Sequence, residues 1–263
     1  MAGMDSGPLT GMDALAGAVR LLAPARRIVV FTGAGVSTDS GIPDFRSPGG
    51  LWARYDPRRL SFGRYKADPA VRRLAWRLRC ELSAIEARPN PAHLACVRLA
   101  GQGRLAGVIT QNVDGLHGDA GLDPGLLVEV HGTGRVALCL ACGDRRPMAE
   151  AVARVQAGEP DPPCLACGGI LKAATVSFGQ GIPPAVWARA EAMTDACDAF
   201  VAVGSSLVVH PAAGLPPRAA ARGAPLVVIN REPTPLDHLA SAACLGEAGV
   251  LLPALAEALP ALT

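Results

Sequence analysis

Five short apolar runs constrain the fold of this chain more than any other feature. They cover residues 27–32, 105–110, 126–130, 199–203 and 226–229. Each is bounded by Gly, Pro or polar residues and separated from the next by helical stretches. A run apolar on both faces is buried on both faces, which is the habit of a parallel strand covered by helices. Residues 13–23, with apolar positions at helical spacing, predict a first helix before the first strand. The expected fold class is α/β, a doubly wound parallel sheet.

Two stretches break that rhythm. Residues 50–100 are Arg-rich, carry Trp52, Tyr55, Phe62, Tyr65 and Trp76, and predict helices near 69–86 and 91–101. Residues 135–175 hold two Cys pairs among Pro and Gly. Both read as insertions into the sheet domain. A large domain of about 13–48, 102–134 and 176–255 and a small lobe of about 49–101 and 135–175 follow, within one unit spanning 1–263. A cleft between two such bodies is a common place for a ligand.

The chain has eight cysteines. Four lie in two C-x2-C knuckles, Cys139 with Cys142 and Cys164 with Cys167, each followed by a glycine that permits a tight turn. Four thiolates about 2.3 Å from Zn²⁺ make a closed tetrahedron with no open position for water, so the expected zinc is structural. The alternative is two unrelated thiol pairs or a redox pair. Cys80, Cys96, Cys197 and Cys244 are isolated among apolar neighbours and read as small buried hydrophobes.

The first strand runs into Thr32-Gly33-Ala34-Gly35-Val36-Ser37, expected to turn into a helix. Small residues there let backbone approach a pyrophosphate, and N–H groups at a helix start attract anions. No acidic residue ends a second strand about 20 residues on, as a dehydrogenase would show. Nucleotide binding without hydride transfer is the reading. The second strand runs into Gln111-Asn112-Val113-Asp114-Gly115-Leu116-His117 and the third into His131-Gly132. Ligands of open α/β sheets sit outside these carboxyl ends. His131 is the candidate general base; the alternative is that it only caps the strand. His117 reads equally as a helix-start residue, and His93, His210 and His238 as structural or surface residues. No Gly-x-Ser-x-Gly elbow supports a serine hydrolase.

Charge narrows the partners. With 25 basic and 23 acidic side chains the net charge is +2, too balanced for bulk attraction of nucleic acid. Only Lys66 and Lys172 are lysines. No secretory leader, transit peptide or membrane span is read, so a cytoplasmic location is expected.

These motifs, in this order, resemble the sirtuins over roughly residues 13–255. Gly41-Ile42-Pro43-Asp44-Phe45-Arg46-Ser47, Val176-Ser177-Phe178-Gly179, Gly204-Ser205-Ser206-Leu207 and Ile229-Asn230 complete the set. The resemblance implies NAD-dependent removal of acyl groups from protein lysines, with nicotinamide and O-acyl-ADP-ribose as products. It also implies a Rossmann-type large domain, a doubly wound parallel sheet, with a small lobe built of a helical module and a four-cysteine zinc ribbon. Gly33, Ala34, Gly35 and Ser37 would line the pyrophosphate. Ile42, Phe45 and Asp114 would surround the nicotinamide, with Arg46 on the same loop. Gln111 and Asn112 would hold the ribose and a water, and Gly204, Ser205, Ser206 and Asn230 the adenosine half. His131, with Asn112 and Asp114, would carry the chemistry by deprotonating a ribose hydroxyl. Val176, Phe178 and Gly179 would pair as a strand edge with an acylated-lysine substrate, and a monomer is expected.

Departures leave the acyl group open. Lys172-Ala173-Ala174-Thr175 precedes the substrate segment and Gln180 follows it, where the family often has Pro with Asp or His before it and Glu after it. Desuccinylating members carry Tyr-x-x-Arg in the helical module; here Trp76-Arg77-Leu78-Arg79 stands there, so Trp76 and Arg79 are the expected acyl contacts. Gly50-Leu51-Trp52-Ala53-Arg54 with Asn90-Pro91-Ala92-His93 looks like class II, as in a bacterial member of that branch. Mono-ADP-ribosyl transfer, removal of longer-chain or lipoyl groups, and an NAD-sensing binding module are the competing readings.

Overall fold

A computed structural model describes residues 11–44, 50 and 55–262. Phe45 and Arg46, and residues 51–54 of the class II segment, lie outside the described residues. Helix α1 (Gly11–Leu22) leads into β1 (Ile28–Thr32), which is buried at every position. Along β1 the side chains alternate between two cores. Ile28 and Val30 join one with Leu22, Leu99 and Leu252; Val29 and Phe31 join the other with Ile109, Phe200 and Leu226. Burial on both faces is what the apolar runs predict.

The strands β2 (Leu105–Thr110), β3 (Leu127–Glu129), β7 (Ala199–Val203), β8 (Leu226–Asn230) and β9 (Ala242–Leu245) complete a six-stranded sheet in the order β3-β2-β1-β7-β8-β9. Every pairing in it is parallel. The chain builds outward from β1 to β2 and β3, then returns to the other side of β1 with β7. The switch point therefore lies between β1 and β7, where open α/β sheets bind ligands.

A second sheet of three antiparallel strands has the order β5-β4-β6, from β4 (Gly132–Cys139), β5 (Arg145–Pro147) and β6 (Leu171–Thr175). It shares a core with α3 (Pro69–Ser83), which follows α2 (Phe62–Ala67), and with α6 (Met148–Gln156), in a chain order where α4 (Pro91–Gly101) and α5 (Leu116–Asp119) come between. Trp76, Cys139, Met148, Val152, Cys164 and Leu171 form that core. Asp68 caps α3 by accepting from the Ala70 N–H, with Pro69 in the first turn. Asn90 and His93 form a capping box on α4. Helix α3 ends at Ser83, short of residue 86. No described helix is long and apolar enough to cross a membrane.

The expected helix after the glycine turn is corrected. Two 3-10 turns, Ala34–Val36 and Thr38–Ser40, stand there instead. The Gly33 and Gly35 N–H groups donate to the carbonyls of Val203 and Gly204, so the turn is also stitched to the end of β7. Gly41, at φ 82, closes the second turn in the left-handed region.

Candidate functional site

The carboxyl ends of β1, β2 and β7 meet in a cavity of about 680 Å³. Glycine makes this meeting possible. A Cβ on Gly33 would lie 2.7 Å from the Gly204 carbonyl oxygen, and one on Gly35 would lie 2.9 Å from the Gly204 Cα. Gly204 itself sits at φ +58, and a Cβ there would lie 2.5 Å from the Val36 nitrogen. Gly204→Ala should thus both strain the backbone and part the two loops. We expect a loss of about 2 kcal/mol or more in denaturant unfolding, since strained and overpacked sites fall in that range, together with lost nucleotide affinity by calorimetry. An unchanged midpoint and affinity would contradict the packing role.

The polar residues after β2 are held by one another. The Asn112 amide donates to the Gly33 carbonyl and to Ser37 Oγ, both at 3.0 Å. Ser37 Oγ donates to Asp114 at 2.8 Å, and the other Asp114 oxygen accepts from the Leu116 N–H. Asn112 and Ser37 are buried, so this chain is rigid and low in dielectric. Gln111 donates to Ser205 Oγ at 2.8 Å, which ties the β2 loop to the β7 loop. The structure brings together Gly33, Ala34, Gly35, Gln111, Asn112, His131, Gly204, Ser205, Ser206 and Asn230 around one cavity. Ser37 and Asp114 back this group through Asn112, and Ile42 follows the second 3-10 turn, its N–H donating to the Ser37 carbonyl.

His131 follows β3, and its Nδ1 lies 3.1 Å from the Gln111 carbonyl oxygen. A carbonyl only accepts, so Nδ1 carries the proton and Nε2 keeps its lone pair. Burial pushes the His131 pKa below its usual 6.5, against the contrary pull of the Gln111 carbonyl. His131 is therefore a neutral base beside the cavity at pH 7. Burial, then Asp114, raises the Glu129 pKa, while Arg135 opposes the shift.

His93 and His117 are buried structural residues, whereas His210 lines the cavity. His117 is buried, its Nε2 3.0 Å from Thr32 Oγ1, and its pKa falls to about 3 through burial and then His93. Thr32 also donates to Thr110 Oγ1 at 2.8 Å, so a buried hydroxyl pair pins β1 to β2 beneath the site. Residue-type reasoning passed over both threonines because they sit inside otherwise apolar runs.

The substrate contacts expected from resemblance fall less simply. Residues 176–179 follow β6 and form no strand within the chain, and two of their backbone groups are already bonded. Val176 N–H donates to the His131 carbonyl, and the Phe178 carbonyl accepts from the Phe62 N–H. Trp76 is only 2% exposed and belongs to the small core, although it also lines the cavity. Arg79 lines the cavity too. Lys172 and Tyr65, which the sequence reading assigned no role, join them.

The four cysteines of the two knuckles place their sulfurs within 4.8 Å of one another, with Cys139 3.6 Å from Cys167 and Cys142 3.7 Å from Cys164. Ligands about 2.3 Å from one tetrahedral centre are spaced by about this much. Gly143 and Gly168 stand at φ 78 and 71, turning each knuckle. N–H groups of Cys142 and Ala141 point at Cys139 and bring its thiol down to about 6. The set fits a structural Zn²⁺. Cys96 and Cys244 are buried, whereas Cys80 and Cys197 are partly so.

The Sir2 family model matches residues 33–211. NAD-dependent protein deacetylase 2 of Streptomyces coelicolor is 51% identical over 231 residues, covering 87% of this chain and 95% of that protein. The NAD-dependent protein deacetylase of Rhodopseudomonas palustris is 46% identical, covering 84% and 87%. NAD-dependent protein deacylase 2 of Archaeoglobus fulgidus is 40% identical, covering 93% and 96%. Among solved structures, a Sir2 enzyme superposes with a TM-score of 0.85 at 39% identity, covering 94% of this chain and 97% of that one. A Sir2 variant holding a deacetylated p53 peptide and 3'-O-acetyl ADP-ribose superposes with a TM-score of 0.86 at 29% identity, covering 92% and 97%.

Proposed function

The chain belongs to the Sir2 family and is an NAD-dependent protein deacylase, and from that premise we propose how its own residues divide the work. The observation that carries the proposal is a neutral His131 beside the cavity, its Nδ1 anchored on Gln111 and its Nε2 unprotonated. Bound NAD⁺ supplies an anomeric carbon that can accept the acyl oxygen as nicotinamide leaves. The Gly33–Gly35 turn and the Gly204–Ser206 loop receive the dinucleotide, with Ala34 at the apex of the first turn. The Asn112–Ser37–Asp114 chain fixes polar groups beneath the nicotinamide end. His131 Nε2 takes the proton of a ribose hydroxyl so that the acyl group can move onto oxygen. Positioning and the exclusion of water carry most of the rate. Residues 176–179 present the acylated lysine, and the four cysteines hold Zn²⁺ away from the chemistry. A large body carrying the six-stranded sheet and a smaller lobe carrying the three-stranded one are the proposed division of the chain.

The test is nicotinamide release from NAD⁺ and an acyl-lysine peptide, followed against pH. His131 must be neutral to act, so kcat/KM should fall as pH falls through its pKa. Burial sets that pKa below 6.5, so the acid limb should have its midpoint below 6.5. The same shift lowers stability in acid, because the unfolded chain takes up the proton first. A midpoint above 6.5 would contradict a buried neutral base. No nicotinamide release with any acyl peptide would contradict the proposal.

A further inference from the structure

The charge of the chain is unevenly spread. Residues 55–88 carry nine basic and four acidic side chains, against sixteen and nineteen in the rest of the chain. The near-neutral total therefore hides a local excess of cations.

That excess lies beside the cavity. The 3-10 turn Pro57–Leu60 ends on Leu60 and α2 carries Tyr65, and both residues line the cavity. Arg58 and Arg59 directly precede Leu60. Arg64 and Lys66 flank Tyr65, each turned about 100° from it around the helix axis. All four cations are exposed. Lys66 Nζ lies 4.7 Å from the centre of the Phe62 ring, and the Phe62 N–H donates to the Phe178 carbonyl at 2.8 Å. The turn and α2 are thereby fastened to the segment 176–179. Helix α3 adds Arg73 and Arg77, both exposed and four residues apart on one face.

The carboxylates of this stretch have other work. Asp56 accepts from the Arg58 N–H and lies 3.4 Å from its guanidinium. Asp68 accepts from the Ala70 N–H at the start of α3, and Glu81 accepts from the Tyr55 hydroxyl. Among the described residues Arg59, Arg64, Lys66, Arg73 and Arg77 make no ion pair. Arginine forks match carboxylates, and these stand open to solvent.

We propose that this cationic rim docks acidic residues flanking the acylated lysine, so that the favoured substrates are protein segments with Asp or Glu beside the modified lysine. The proposal rests on the deacylase reading and names which polypeptides that reading favours. Each exposed pair contributes little by itself and is screened by salt. Several cations acting on one segment add, and they raise the rate of encounter. Their position selects a polypeptide over a nucleic acid, because they flank the segment that a lysine-bearing chain must reach.

The experiment uses three peptides of one sequence, with acetyl-lysine flanked by Glu, by Gln or by Lys. Binding to the whole protein is read by fluorescence anisotropy without NAD⁺, and turnover by nicotinamide release. At low salt the Glu peptide should bind about tenfold more tightly than the Gln peptide, with the Lys peptide weakest, and kcat/KM should follow through KM. The order should collapse towards equality at about 1 M salt, where the screening length is about 3 Å. The combined variant Arg59→Gln, Arg64→Gln, Lys66→Gln should lose the preference and keep wild-type turnover of the Gln peptide. Equal binding of the three peptides at low salt, or a preference unmoved in the variant, would overturn the rim and leave the deacylase reading standing. A short oligonucleotide that outcompetes the Glu peptide on wild-type protein, and not on the variant, would assign the cations to nucleic acid and overturn the proposal. Absence of nicotinamide release from all three peptides would count against the deacylase reading, and the binding comparison would still decide the rim.

Discussion

His131→Ala should lower kcat for deacylation by about 10²–10⁴-fold, the range a positioned general base contributes. NAD⁺ affinity, measured by calorimetry, should change by no more than about threefold. The separation follows from the hydrogen bonds. The His131 imidazole bonds to the Gln111 carbonyl. The nucleotide loops are held by others: Gln111 to Ser205, Asn112 to Gly33 and Ser37, and Gly35 to Gly204. Removing the imidazole deletes the proton acceptor and leaves that scaffold in place. Retained turnover would assign the proton to another group. Joint loss of binding and turnover would make His131 a structural residue.

Cys164→Ala, or removal of zinc by a chelator, should abolish activity by a different route. Cys139 and Cys164 are both knuckle residues and core residues, packed with Trp76, Met148 and Leu171. Strand β4 starts at Gly132, directly after His131, and ends at Cys139. Its partner β6 ends at Thr175, directly before Val176. Loosening the knuckles therefore frees both the base and the substrate segment, without the metal touching either. Zinc content should fall from about one per chain to near zero, and the melting temperature should fall with it, since binding energy at such sites is folding energy. A variant that loses zinc but keeps its melting temperature and its turnover would contradict this coupling.

The large sheet was legible because burial on both faces leaves a continuous apolar run, and five of its six strands carry one. Strand β9, Ala242–Leu245, was missed because an edge strand of Ala, Ala, Cys and Leu has too little side-chain signal. The small sheet was missed for a related reason: its strands set Arg and Lys among small residues and carry no continuous apolar run. Asn112, Asp114 and His131 were legible because polar residues at the ends of apolar strands have few structural reasons to gather. The glycine turn was legible as a close approach but not as a 3-10 turn, since Gly33 and Gly35 are held by a loop distant in sequence. The same distance hid Lys172. Its burial depends on α3, roughly a hundred residues earlier, and a lysine read alone is a surface residue.

The central claim is that the acyl group leaves lysine for the ribose of NAD⁺ through His131. Its most direct measurement is the product balance of purified protein given acyl-lysine peptide and NAD⁺ labelled in the adenine ring. The account predicts equal amounts of nicotinamide, deacylated peptide and labelled O-acyl-ADP-ribose by mass spectrometry, with all three lost in His131→Ala. Label retained on protein without deacylated peptide, or tight NAD⁺ binding with no nicotinamide released, would contradict it.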